Sequence, residues 1–169
     1  PDRQFLIVSK LPQCRAKEVA AKVQESLRRL RIGNLYGYIL HNFQAYSAEP
    51  AVWESLQAQK EKGLIDKIGF SLYYPKELET VLSNRLSVDL VQIPYSLFDQ
   101  RFAEYLPNLK AQGIEVHVRS VFLQGLVFMR PEELTGELAR LRPKLSKLRS
   151  LAEASGLSIA SLCLNYVLL

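Results

Sequence analysis

Short apolar runs alternate with amphipathic stretches along the chain. The apolar runs predict five strands, over residues 5–8, 35–40, 67–70, 90–93 and 115–118. Between them, apolar residues recur at helical spacing, which predicts helices over residues 15–30, 50–62, 99–109 and about 134–154, with shorter ones opening at Pro75 and after Ser158. Strand–helix units of this length predict a parallel sheet covered by helices, an α/β fold.

Each predicted helix has one apolar face that we expect to meet the core. Asp99 and Ser158 are the residues expected to cap the helices that follow them. The inward positions are Val19, Val23, Leu27 and Leu30, then Val52, Trp53 and Leu56, then Leu78, Val81 and Leu82, then Phe102, Leu106 and Leu109.

Two architectures fit this order of elements. A doubly wound sheet of flavodoxin type would be complete with five strands, whereas a (β/α)₈ barrel typically needs about 250 residues. The chain has 169 residues, so length alone favours the doubly wound sheet. Residues 11–14, after the first strand, contain no glycine, so the phosphate-binding loop of that fold is absent.

The residues at the carboxyl ends of the predicted strands favour the barrel instead. Each of the five strands ends in a polar or charged side chain, and a barrel gathers such ends around one pocket. These residues are Lys10, His41, Ser71, Gln92 and the pair Arg119 and Ser120.

Composition narrows the functional classes. Hydrophobic residues make up 48% and charged residues 23% of the chain, which predicts one folded domain over residues 1–169 and excludes a disordered one. With only two cysteines, Cys14 and Cys163, we expect no disulfide framework and a reducing, cytoplasmic location. No apolar run reaches the roughly 20 residues of a membrane span, and no signal peptide pattern is present.

The net charge of +5 raises the question of a nucleic-acid partner. The basic residues lie along helices that also carry an apolar stripe, over residues 15–31 and 140–149, and no aromatic residues are interleaved with them. This pattern is typical of solvated outer helix faces, so we expect neither a nucleic acid nor a membrane as partner. No residue pattern suggests a metal site.

Both ends of the sequence are unusual. The chain begins at Pro1, its only methionine is Met129, and residues 166–169 stop inside an apolar helical pattern. We therefore expect segments before Pro1 and after Leu169.

Five segments, in order, resemble the aldo/keto reductase family. The sequence FLIVSK at residues 5–10 resembles the third barrel strand, and residues 27–41 resemble the family's SLxxLxxDYxDLxxxH stretch. GLIDKIGFS at residues 63–71 is similar to GKVRxIGVS, and residues 91–95 to the xQxxY strand. Residues 113–120 are similar to the seventh strand and its cofactor-facing end.

The resemblance implies a reaction. In this family NADPH passes a hydride to the carbonyl carbon of an aldehyde or ketone, and a tyrosine protonates the oxygen. A lysine paired with an aspartate lowers the pKa of that tyrosine, and a histidine orients or polarises the carbonyl. Lys10 and His41 match the catalytic lysine and histidine. The substrate implied is a small-molecule carbonyl compound, and the chain would belong to an oxidoreductase.

The resemblance also implies a cofactor site for NADPH. Ser71 and Gln92 would hold the nicotinamide carboxamide. Arg119 would pack on the nicotinamide ring, as its planar guanidinium allows. Ser120 and the loop that follows it would lie along the cofactor phosphates.

The chain departs from the family pattern in two ways. Leu72 replaces an asparagine that also binds the carboxamide. The family's catalytic aspartate and tyrosine precede the strand that ends at Lys10, and its last strand follows the position of Leu169. The resemblance thus covers strands three to seven, a partial (β/α)₈ TIM barrel without its N- and C-terminal strands. We expect this chain alone to be inactive.

Two alternatives stay open on the sequence. The first is a short, non-catalytic aldo/keto reductase-like binding module whose exposed strand edges are covered by a partner or by a second copy, which would make it a homo-oligomer. The second is a flavodoxin-like domain.

Overall fold

The computed structural model describes residues 5–168. Its five strands alternate with helices in the predicted order. The strands are β1 (Val8–Leu11), β2 (Leu35–Leu40), β3 (Ile65–Ser71), β4 (Leu90–Pro94) and β5 (Glu115–Arg119). The α-helices are α1 (Val19–Leu30), α2 (Phe43–Ala48), α3 (Ala51–Glu61), α4 (Pro75–Ser83), α5 (Leu106–Ala111), α6 (Arg142–Ser155) and α7 (Ile159–Leu168). Short 3₁₀ segments cover Ala16–Glu18, Ala103–Tyr105, Leu123–Phe128, Pro131–Glu133 and Gly136–Leu141.

The strands form one parallel sheet in the consecutive order β1-β2-β3-β4-β5. A doubly wound sheet instead reverses its strand order at a switch point, as in the order 2-1-3-4-5. The flavodoxin-like alternative is therefore wrong. Successive strands that are always neighbours are what a barrel wall requires.

The chain divides into two compact units. The first unit contains the described residues up to Ile93 together with Phe102–His117, and the second contains Pro94–Arg101 together with the described residues from Val118. The prediction of one domain over residues 1–169 stays a prediction.

In the first unit, alternate residues of the sheet pack under the helices. Tyr38, Ile68 and Phe70 are almost fully buried in this layer, because every second side chain of a strand points to the same face. Phe70 is the centre of an aromatic cluster. The Trp53 ring stacks on it at 4.7 Å, and the Tyr46 ring meets it edge-on at 5.7 Å.

The second unit has its own core, formed by the buried residues Val127, Leu134, Leu145, Leu148 and Cys163. Two arginines of α6 hold the long segment before that helix. Arg142 donates twice to the Leu134 carbonyl, at 3.0 and 2.6 Å. Arg149 donates to the carbonyls of Phe128 and Met129, at 3.0 and 2.8 Å.

Most predicted elements are present with shifted ends. The first strand begins at Val8, because pairing with β2 begins there and the Phe5 and Leu6 side chains are exposed. Leu30, expected to face inward, is 42% exposed at the end of α1. Helix α2 was not predicted. The prediction that Ser158 caps the last helix is confirmed, since its hydroxyl accepts from the Ser161 N–H at 3.0 Å.

The prediction that Asp99 caps the following helix is wrong. Asp99 instead forms a tight turn with Ser96, in which each backbone N–H donates to the other's carbonyl. Helical structure starts only at Ala103. The long helix predicted from about residue 134 is likewise replaced by the 3₁₀ segment Gly136–Leu141 before α6 starts at Arg142.

Among residues 5–168, no single helix has the length and apolarity to cross a membrane. Two helical stretches, Gly136–Ser155 and Ile159–Leu168, would together be long and apolar enough to cross one, by length and composition only, but they are bent by 89° relative to each other.

Glu115, the first residue of β5, is the centre of a polar network in the first unit. Its carboxylate accepts from the Tyr36 hydroxyl at 2.7 Å, pairs with the Lys67 ammonium, and lies 2.6 Å from His117 Nε2. Burial alone would raise the pKa of Glu115, but hydrogen bonds from Lys67, Tyr36 and His117 outweigh it and lower the pKa to about 2. The hydrogen bond to Glu115 raises the pKa of Lys67.

We predict that Gly69→Ala strongly destabilises the first unit. Gly69 is paired with Leu90, and a Cβ at residue 69 would overlap the Leu90 carbonyl oxygen. Forcing the strands apart should lower the free energy of unfolding by about 1–3 kcal/mol or more, measured by urea denaturation. Gly33→Ala is the control, since a Cβ there meets nothing within 4 Å. Equal stability of the two variants would contradict the close pairing of Gly69 with Leu90.

We predict that Glu115→Gln removes an acid-dependent part of the stability. The native pKa lies below the ordinary value of 4.5, so ionised Glu115 stabilises the fold above pH 4.5 and this contribution is lost as the pH falls toward 2. The wild-type free energy of unfolding should therefore fall by about 1–3 kcal/mol across this range. The variant should have lower stability at pH 7 and a flatter acid limb. Glu132→Gln, at an exposed position, should retain the wild-type slope.

Candidate active site

Four of the predicted site residues lie in the first unit, at the carboxyl ends of adjacent strands. Lys10 lies in β1, Ser71 ends β3, Gln92 lies in β4 and His41 follows β2. Parallel strands bring these ends to the same edge of the sheet. Ser71 pairs in register with Gln92, which places their side chains on the same face.

The register also places Lys10 on that face. Lys10 pairs with Ile39, and Ile39 pairs with Gly69, two residues before Ser71. The Lys10 ammonium donates to the Ser71 hydroxyl at 3.4 Å. Ser71 is fully buried. The structure therefore brings together the predicted catalytic lysine and one predicted cofactor-binding residue.

His41 is placed by the turn between β2 and α2. Its backbone N–H donates to the Leu11 carbonyl at 3.1 Å, which ties the end of β2 to the end of β1. The next residue, Asn42, caps α2, because its side-chain oxygen accepts from the Ala45 N–H at 2.9 Å. The His41 side chain is exposed and makes no hydrogen bond to other residues between positions 5 and 168. The imidazole is thus accessible to a small molecule.

Gln92 and Leu72 differ in what they can offer a ligand. The Gln92 side chain is half-buried, and its backbone carbonyl accepts from the Leu72 N–H at 2.8 Å. The Leu72 side chain is fully buried in the core of the first unit. The side chain at position 72 therefore contributes packing.

The other two predicted site residues belong to the second unit. Arg119 ends β5, and one of its guanidinium nitrogens donates to the Ser120 hydroxyl at 3.4 Å. The Arg119 carbonyl accepts from the Tyr95 N–H at 3.2 Å. The Tyr95 ring stacks on Tyr166 of α7 at 5.5 Å, and this contact raises the pKa of Tyr166 to about 12, mainly through the hydrogen bond with Tyr95.

The segment after β5 has a strained backbone. Ser120, Leu123 and Gln124 have φ values of 63°, 47° and 55°, in the left-handed region that favours glycine. Gly125 follows with φ 92°. Such strain is costly and is concentrated at ligand clamps and functional loops. The segment that the resemblance assigns to the cofactor phosphates therefore holds four residues in left-handed backbone conformations.

Sequence reasoning missed the aromatic support beneath the site. Phe70 precedes Ser71, and the clustered rings of Tyr46 and Trp53 hold it from the helix side. Phe43, two residues after His41, also contacts Phe70, with ring centroids 6.3 Å apart. The sequence signal was the Asn42 cap followed by aromatic residues at helical spacing. Within the described chain, no three His, Cys, Asp or Glu side chains converge as metal ligands would.

Comparison with known proteins assigns the chain to a family. The aldo/keto reductase family model matches residues 1–169. A curated relative, the uncharacterized oxidoreductase YqkF of Bacillus subtilis (strain 168), is 27% identical over 124 residues, which are 73% of this chain and 40% of the relative.

Solved aldo-keto reductases have the same fold over part of their length. The holo form of AKR11C1 from Bacillus halodurans matches 86% of this chain and 53% of its own, with a TM-score of 0.71 and 22% identity. Glycerol dehydrogenase AKR11B4 from Gluconobacter oxydans matches 91% of this chain and 52% of its own, with a TM-score of 0.73 and 18% identity. An aldo/keto reductase from Klebsiella pneumoniae in complex with NADP and acetate matches 96% of this chain and 55% of its own, with a TM-score of 0.72 and 21% identity.

The chain spans about half the length of these solved structures and 40% of the curated relative. Its five consecutive parallel strands correspond to part of a TIM barrel, so the predicted fold class is confirmed. The order of strand-end residues, the sheet order and a family match over all 169 residues agree. The chain belongs to the aldo/keto reductase family.

Proposed function

We propose that this chain forms the central part of an NADPH-dependent reductase that converts aldehydes or ketones to alcohols. The observation that supports this most directly is the contact between Lys10 and Ser71 at the edge where His41 and Gln92 also lie. This arrangement combines a cation, an accessible imidazole and two amide-binding side chains. Family membership supplies the oxidoreductase chemistry.

Lys10 would act on the proton donor rather than on the substrate directly. An ammonium beside a phenol stabilises the phenolate and lowers the pKa of that phenol, which lets it donate a proton near neutral pH. The family's tyrosine and aspartate are not among the residues of this sequence that match its pattern. His41 would donate a hydrogen bond to the carbonyl oxygen of the substrate, for which its exposure suits it.

The residues present fit a nicotinamide dinucleotide. Ser71 and Gln92 would hold the carboxamide, one with a hydroxyl and the other with an amide. Within the second unit, the Arg119 guanidinium has the planar shape to pack on a ring, and Ser120 with the strained segment after it offers groups that can bind phosphate oxygens. When bound, NADPH supplies the hydride. Leu72 removes one of the family's contacts to the carboxamide.

The partner class proposed is a small carbonyl compound. Both cysteines are free thiols, which agrees with a reducing compartment, and we propose a cytoplasmic location.

Ser71→Ala and Gln92→Ala should each weaken NADPH binding about 5- to 10-fold, the value of one hydrogen bond. Isothermal titration of the purified chain with NADPH would measure this. Ser83→Ala, at an exposed position of α4, is the matched control and should bind as the wild type does. If both site variants bind NADPH as tightly as the control, the proposed carboxamide site is wrong.

The 169-residue chain should not reduce a model aldehyde at ordinary rates. Without a catalytic acid, the rate falls about 10²- to 10⁴-fold. The assay follows NADPH absorbance with 4-nitrobenzaldehyde, using a full-length aldo/keto reductase as the positive control. Turnover equal to the positive control would show that another residue of this chain donates the proton.

A further inference from the structure

A cavity of about 200 Å³, partly open to solvent, lies beside the core of the second unit. Five of its six lining residues are apolar: Phe98, Leu123, Leu126, Leu141 and Leu145. Leu145 is buried, whereas the other four are only partly buried. The apolar side chains therefore leave room between them instead of closing the core.

The sixth lining residue is Lys144, and it brings charge to this apolar cavity. Its side chain is exposed and has no hydrogen bond or ion pair with the residues that the structure describes. The neighbouring Arg142 is engaged with the Leu134 carbonyl. The first turn of α6 contains no acidic residue to neutralise Lys144.

An apolar cavity with one ammonium at its edge is complementary to a particular class of ligand. An apolar cavity of about 150 Å³ is large enough to bind benzene, so this volume accommodates one ring or a short alkyl chain. A single lysine pairs with a single carboxylate by a charge-assisted hydrogen bond. Neutral hydrocarbons would gain nothing from the ammonium, and polyanions would find only one cation.

We propose that this cavity binds a monocarboxylate with an apolar body of about the size of a benzene ring. The apolar body would fill the space against Leu126 and Leu145, and the carboxylate would meet Lys144. The cavity shares Leu123 with the segment proposed to bind the cofactor phosphates. Its one charged group, Lys144, is none of the residues assigned to the carbonyl reduction.

The test uses 3-phenylpropionate and its uncharged amide as probes of the purified chain. Titration calorimetry measures affinity, and NMR spectra of methyl-labelled leucines locate the site. The acid should bind saturably, shift the Leu126 and Leu145 methyl signals, and bind about 10-fold or more tightly than the amide.

Three variants separate the contributions. Lys144→Gln should weaken binding of the acid about 10-fold or more and leave the amide unaffected. Lys147→Gln, an exposed lysine on the same helix that does not line the cavity, is the matched control and should have no effect. Leu126→Phe, which fills the cavity, should weaken both probes. Circular dichroism checks that each variant is folded.

The proposal is overturned if Lys144→Gln binds the acid as tightly as the wild type does. It is also overturned if the probe shifts signals of the first unit while those of Leu126 and Leu145 stay unchanged. Neither result bears on the reductase proposal, which the Ser71 and Gln92 variants test.

Discussion

The close approach of β3 to β4 is the constraint on which the first unit depends. Gly69 lies against the Leu90 backbone so closely that no side chain fits between them. This contact sets the register in which Gly69 faces Leu90 and Ser71 faces Gln92. A slip of one residue would turn Ser71 toward the helices and bring Phe70 to the opposite face. Buried packing and candidate chemistry therefore depend on the same pairing.

The alternation of the strands then separates two kinds of environment. Phe70 and Ser71 are neighbours in sequence but point to opposite faces of the sheet. Phe70 packs in the aromatic cluster, and Ser71 contacts Lys10 among the polar side chains at the strand ends. The rings that pack on Phe70 belong to α2 and α3, and the side chain that contacts Ser71 belongs to β1. Ser71 is fully buried, and its hydroxyl accepts from Lys10. The close packing of Phe70 beneath it leaves the end of β3 little freedom to move, which fixes the position of this hydroxyl.

The sequence predicted those features that are local or periodic. β2 was predicted with its observed ends because an apolar run there is bounded by turn residues, and the strand-end residues could be read once the strands were placed. The start of β1 could not be predicted, because Phe5 and Leu6 are apolar although they lie before the paired residues Val8–Leu11 and are exposed. Helix α2 has only six residues, so its sequence signal is limited to the Asn42 cap and the spacing of Phe43 and Tyr46.

The periodicity of apolar residues does not predict contacts between segments that are distant in sequence. The Glu115 network joins residues up to 79 positions apart, and the Lys10 to Ser71 contact spans 61 positions. Alternation along β5 places His117 and Arg119 on the same face, but it does not show that the Glu115 carboxylate accepts from His117, Tyr36 and Lys67. Each of those distances depends on sheet order, which only the folded chain provides.

Position 72 shows how packing and ligand binding compete at the end of a strand. Burying a leucine contributes about 1.5–3 kcal/mol, whereas one hydrogen bond to a carboxamide contributes about 0.5–1.5 kcal/mol net. Leu72 is fully buried and its N–H still continues the pairing with Gln92. If the proposed cofactor site is correct, a leucine in place of the asparagine that the resemblance implies favours the stability of the sheet over contact with the cofactor. In that site Ser71 and Gln92 would carry the recognition of the carboxamide without a contribution from position 72.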